Sequence, residues 1–162
     1  MRAIVLAISL AATSALAEDI VPADPWEVIH TAREFGEAEV GKDALQDPVI
    51  LGTYQADEDM PKIGYQIGFY DCDLGRACRI LLFRAQLNDK AWKKMPPNPA
   101  IFDLWNRRKL VGRAYWDPQS GAVLEHAVAM SDGLPKKTLE SVFQMWTGAV
   151  IDYSEFLDET GT

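Results

Sequence analysis

Residues 63–87 constrain the fold more than any other part of the chain. Ile63-Gly64-Tyr65-Gln66-Ile67-Gly68-Phe69-Tyr70 alternates with the two-residue period of a strand, and after Asp71 to Cys78 a second apolar stretch runs from Arg79 to Leu87. Folded back antiparallel, the two stretches have one register that keeps a face wholly apolar. Phe69 then meets Leu81, Ile67 meets Phe83, Tyr65 meets Ala85 and Ile63 meets Leu87. The opposite face pairs Tyr70 with Ile80, Gly68 with Leu82 and Gln66 with Arg84. A slip of one residue would mix the two faces, so burial itself specifies the pairing. The same register sets Cys72 directly across from Cys78.

Whether those thiols are joined depends on where the protein works. Met1-Arg2 is followed by the apolar run Ala3 to Ala12, and Ala15-Leu16-Ala17 then offers small residues where a signal peptidase reads. Residues 1–17 are expected to be a signal peptide cleaved after Ala17, since the apolar run is shorter than the roughly 20 residues a bilayer span needs. The mature protein is therefore expected to be periplasmic or secreted, with no membrane span. Two opposed cysteines in an oxidising compartment predict a Cys72–Cys78 disulfide. Their C-x5-C spacing is not the C-x-x-C of a redox motif, so its expected role is structural.

The rest of the chain reads as one domain. Residues 18–24 form a leader, Asp24-Pro25 caps a helix over 25–35, and strands are expected at 38–40 and 48–54. Asn88 to Pro99 is a polar crossing, Asn98 caps a second helix, and 112–117 with 122–130 forms another hairpin. From Pro135, apolar residues at Leu139, Val142, Phe143, Trp146, Ala149, Val150, Tyr153, Phe156 and Leu157 mark one stripe of a long helix. The domain spans 25–157 and leaves a tail at 158–162.

Charge narrows the partners. With 16 basic residues against 24 acidic the net charge is −8, and loss of Arg2 with the signal makes it −9. Such a surface repels phosphate backbones and anionic lipid, so nucleic acid is not expected as a partner. No metal or other cofactor is expected either. His30 and His126 lack a second ligand at helical spacing, and Asp71-Cys72-Asp73-Leu74-Gly75 lacks the later oxygen ligands of a calcium loop. Asp57-Glu58-Asp59 reads as a solvated turn. No catalytic residue can be named: there is no G-x-S-x-G, and a disulfide leaves no thiolate. With 24 acidic side chains a close carboxylate pair could arise, so the alternative to a binding protein is a small envelope hydrolase using such a pair.

The basic residues concentrate in Trp105-Asn106-Arg107-Arg108-Lys109-Leu110-Val111-Gly112-Arg113-Ala114-Tyr115-Trp116. Trp105, Asn106, Arg107, Arg108 and Arg113 are the candidate partner-binding residues, with arginine forks and an aromatic wall suited to a carboxylate or another anion. The competing account is a helix C-terminus, where cations offset the helix dipole, leading into a core strand.

Trp105-Asn106, Gly112-Arg113-Ala114-Tyr115, Leu124-Glu125, Ala127 to Met130, Gly133-Leu134 and a helix bearing Trp146 and Phe156 together resemble the YbjN-domain family over about residues 25–157. The hairpin carrying Cys72 and Cys78 is similar to that of exported members. The resemblance implies an α+β domain like the type III secretion chaperones, a curved antiparallel sheet with helices packed on it, in a fold that often works as a dimer. It implies a loosely regulatory or chaperone-like role toward a protein or peptide partner and carries over no catalytic residue. Pro135 departs from the small polar helix cap usual in the family.

Overall fold

A computed structural model describes residues 19–60, 62–73, 76–87 and 98–160. The expected signal peptide and most of the crossing at 88–99 lie outside the described residues. In chain order the elements are β1 (Ile20–Val21), α1 (Pro25–Glu34), β2 (Glu37–Lys42), β3 (Pro48–Tyr54), β4 (Ile63–Asp73), β5 (Arg76–Leu87), α2 (Ala100–Arg108), β6 (Arg113–Asp117), β7 (Gly121–Ala129), β8 (Leu134–Pro135) and α3 (Lys136–Thr160).

β4 and β5 pair in the register that the apolar alternation requires: Tyr65 with Ala85, Ile67 with Phe83, Phe69 with Leu81 and Gln66 with Arg84. Cys72 faces Cys78, and the two form a disulfide. Beyond it the register shifts, and Asp73 pairs with Arg76. Asp71 and Ala77 flank the crosslink with positive φ of 54° and 49°, a conformation that costs side-chain-bearing residues energy and that the closed loop holds in place.

Around this hairpin a six-stranded, entirely antiparallel sheet is built in the order β2-β3-β4-β5-β7-β6, and it does not close into a barrel. The fold is thus α+β. One face carries the core: Ile50, Ile67, Leu81, Phe83, Ala85 and Leu124 are fully buried there. α3 lies on that face because its apolar stripe repeats at helical spacing, and Leu139, Val142, Phe143, Trp146, Ala149, Val150, Tyr153 and Leu157 are all buried. The Phe83 ring meets Phe143 edge-on at 5.2 Å and Trp146 at 5.6 Å, which seats the helix over the central strand. Phe35, following α1, stacks on Phe143 at 5.4 Å. α2 meets the same helix through Trp105, which packs on Tyr153 and Phe156.

Residues 20–21, read as leader from the sequence, form a strand that pairs with Leu134–Pro135. The Asp19 carbonyl also accepts from the Lys136 amide at 2.8 Å, and the Ala23 carbonyl accepts from Cys78 at 3.2 Å. Pro135 belongs to this short pairing, and the long helix starts one residue later. Proline suits the place, having no N–H to offer a ladder and a fixed φ compatible with an edge.

Candidate functional site

Asn98 begins the segment that carries the basic residues, its side-chain oxygen taking the Ala100 amide at 3.1 Å and so capping α2. The helix then turns Phe102 and Trp105 inward, at 6% and 1% exposure. Trp105 packs edge-on against Tyr153 at 4.9 Å and near Phe156 at 5.4 Å, fastening α2 to the C-terminal half of α3. Its indole N–H donates to the Gly112 carbonyl at 3.2 Å, so the same side chain pins the loop that follows. Lys109 lies over the Trp105 ring at 5.4 Å and reaches Asp152 at 2.6 Å.

Asn106 does something the sequence does not announce. Its amide nitrogen donates to the Ala114 carbonyl at 3.0 Å, and its oxygen accepts from the Ala114 amide at 2.8 Å. Both backbone groups that Ala114 presents on the open side of β6 are thereby satisfied by one side chain, which blocks further pairing at that point of the edge. Gly112, just before, holds φ at +79°, and a Cβ there would stand 2.7 Å from Leu124 Cδ1. The chain needs glycine at this point to turn into the sheet against Leu124.

Of the five candidate residues, Trp105 and Asn106 are thus braces, whereas Arg107, Arg108 and Arg113 are exposed. Among the described residues these three arginines form no ion pair. The braced loop lifts Leu110 fully into solvent. On one side of Leu110, against Met145, Gly148 and Ala149 of α3, lies a hollow of about 440 Å³. On the other side a more polar hollow of about 440 Å³ is bounded by Arg113, Glu125, His126 and Ala127. Met145 is 48% exposed, and no atom would crowd a Cβ at Gly148. Both residues fall off the buried stripe of α3, which is the sequence signal that could have found them.

Electrostatics in the polar hollow follow from burial. Burial holds the His126 imidazole below its ordinary pKa, so the neutral ring is favoured. On the helix-free face, the Tyr115 hydroxyl donates to Glu125 at 2.5 Å, and Arg84 lies 3.5 Å from the same carboxylate. Burial, and then that hydrogen bond, push the Tyr115 phenol up to about 12. Glu125 is therefore already engaged. Both cysteines are in the disulfide. Among the described residues no group of three or more His, Cys, Asp and Glu side chains could hold a metal ion, and no helix is long and apolar enough to cross a membrane.

A family model described as "Putative bacterial sensory transduction regulator" matches residues 37–159, from β2 almost to the end of α3. No curated protein and no solved structure matches the chain.

Proposed function

Because the chain belongs to the YbjN family, we propose that it is a non-enzymatic binding module, exported and regulatory or chaperone-like, that holds a protein or peptide partner beside the loop joining α2 to β6. The observation that carries this reading is the fully exposed Leu110, raised between two hollows by a loop that Trp105 and Asn106 fasten from beneath. An apolar side chain at full exposure gains most by being covered, at about 25 cal/mol for each Å² removed from water. A rigid backing lets it be covered with little loss of loop entropy. Arg108 shares one hollow with Leu110 and Arg113 the other, and with the exposed Arg107, in a chain of net charge −8, they supply orientation and rate of encounter toward an anionic partner. Export is supported by the apolar N-terminal run, the small residues at Ala15 and Ala17, and the disulfide.

The reading is tested with a photo-crosslinking residue at Leu110 in the full chain, in the cells that make it. A discrete adduct is expected, recovered on a chain whose N-terminus is Glu18. It should be lost when Arg107, Arg108 and Arg113 are changed to Glu. The same residue at Leu45, 81% exposed in the β2–β3 turn, is the control. Adducts of equal pattern from both positions would show that Leu110 is ordinary surface.

A further inference from the structure

Beyond Glu125, β7 has no neighbour on its outer side among the described residues. β6 ends its pairing at Arg113 with Glu125, while β7 continues to Ala129 along β5. The direction of the open backbone groups follows from the hydrogen bonds already described. Asn106 grips Ala114 from outside, so the backbone N–H and C=O of Ala114 point away from β7, and those of Leu124 opposite it point toward β5. Antiparallel residues alternate in this respect. Glu125 thus faces β6, His126 faces β5, and Ala127 and Ala129 turn their N–H and C=O to the vacant side. The Met130 amide, which donates to the Arg79 carbonyl on β5 at 2.7 Å, fixes the same phase.

Two other edges carry protection among the described residues. Ala114 is taken by Asn106, and β2 carries Glu37, Glu39 and Lys42 along its length. At Ala127 and Ala129 the side chains are small and exposed, and Ala127 lines the polar hollow that Arg113 bounds. Deepening the partner-binding reading, on which it rests, we propose that the Ala127–Ala129 edge of β7 accepts an extended acidic segment of a partner protein as an added strand. Main-chain bonds supply the attachment, and side-chain charge the selection. The charge is set by Arg113 at the near end, which lines the same hollow as Ala127, with Glu125 occupied by Tyr115 and Arg84.

The test uses the isotopically labelled mature chain and three synthetic heptapeptides: alternating Glu/Val, alternating Lys/Val, and Glu/Val with N-methylated backbone amides. The Glu/Val peptide should slow amide exchange at Ala127 and Ala129. The Lys/Val peptide and the Arg113→Glu variant should each bind about tenfold more weakly, the scale of one favourable charge contact near a partly desolvated site. N-methylation should abolish the protection. Ala129→Pro, which removes a donor pointing to the vacant side, should do so too, and the N-methylated peptide answers the same question should that variant not fold. Absence of protection, protection that survives N-methylation or ignores charge, or protection of this edge by self-association without peptide would each overturn the proposal, the last in favour of a second copy. The parent reading fails separately. If Leu110 still cross-links in the Ala129→Pro chain, a partner is held without strand addition, whereas no adduct in the unaltered chain removes the partner site even where the peptide protects the edge.

Discussion

Trp105, Asn106 and Gly112 act on one loop by three different means: an aromatic anchor with a polar tip, a side-chain amide that substitutes for a strand, and a left-handed turn. The sequence singled out Trp105 and Asn106 by type and neighbourhood, but as surfaces for a partner. Their roles as braces depend on Tyr153, Phe156 and Ala114, which stand beside them only once the helices and sheet have met. His126 was set aside as a lone histidine, and its consequence is for stability. Burial holds its folded pKa below the ordinary value of 6.5. Above that pH the ring is neutral in both states and contributes nothing. As pH falls through 6.5 the unfolded chain takes up the proton first, so stability drops, and the loss is complete below the folded pKa. A chemical denaturation midpoint should therefore fall between pH 7.5 and 5, and His126→Gln should flatten that slope. Asp117, whose carboxyl the Ser120 and Gln119 amides hold low, contributes stability above 3.8 that is lost only at lower pH, so the two effects are separable.

The β4–β5 hairpin is the element that was most legible. Its register was readable because one face had to be apolar, and the structure pairs Tyr65, Ile67 and Phe69 accordingly. The crosslink is a consequence of that register and not its cause. Replacing both cysteines by alanine should cost roughly 2 kcal/mol, from the chain entropy of a short closed loop, while cross-strand contacts between Ile67 and Phe83 persist. Denaturant unfolding would give the first quantity and nuclear Overhauser effects the second. A register shift in the double variant would mean that the disulfide sets the pairing. α3 was legible for a similar reason, its stripe being long and regular. The β6–β7 hairpin was visible as a pair, but its orientation was not, since nothing local says which strand lies beside β5 and which becomes the edge.

At the scale of the whole molecule, the helices among the described residues pack on one face of an open sheet, and the N-terminal segment is tied to the start of α3. β1 pairs with β8, and Asp19 accepts from Lys136. Cleavage after Ala17 would thus start the mature protein almost at its first structural contact. A chain trimmed to begin at Pro22 should lose about 2 kcal/mol, the net worth of a few backbone hydrogen bonds, read as a lower unfolding midpoint beside the chain that begins at Glu18. An unchanged midpoint would make β1 an incidental pairing.

By itself the sequence determined those features for which a short stretch decides what is buried. These are the apolar faces of β4 and β5, the opposition of Cys72 and Cys78, the stripe of α3 and the cations after Trp105. Only the tertiary structure decided where β7 would stand, that Asn106 would take the outer backbone groups of Ala114, and that β6 would stop short of Ala127 and Ala129. The physical reason is that periodicity reports which side of a strand or helix leaves water, whereas the pairing of a strand's own N–H and C=O groups depends on neighbours far away in sequence. Two alanines in an apolar strand look like core from the sequence alone. The turn at Gly112 ends β6 before it reaches them, so what lies beside their backbone is settled by tertiary placement.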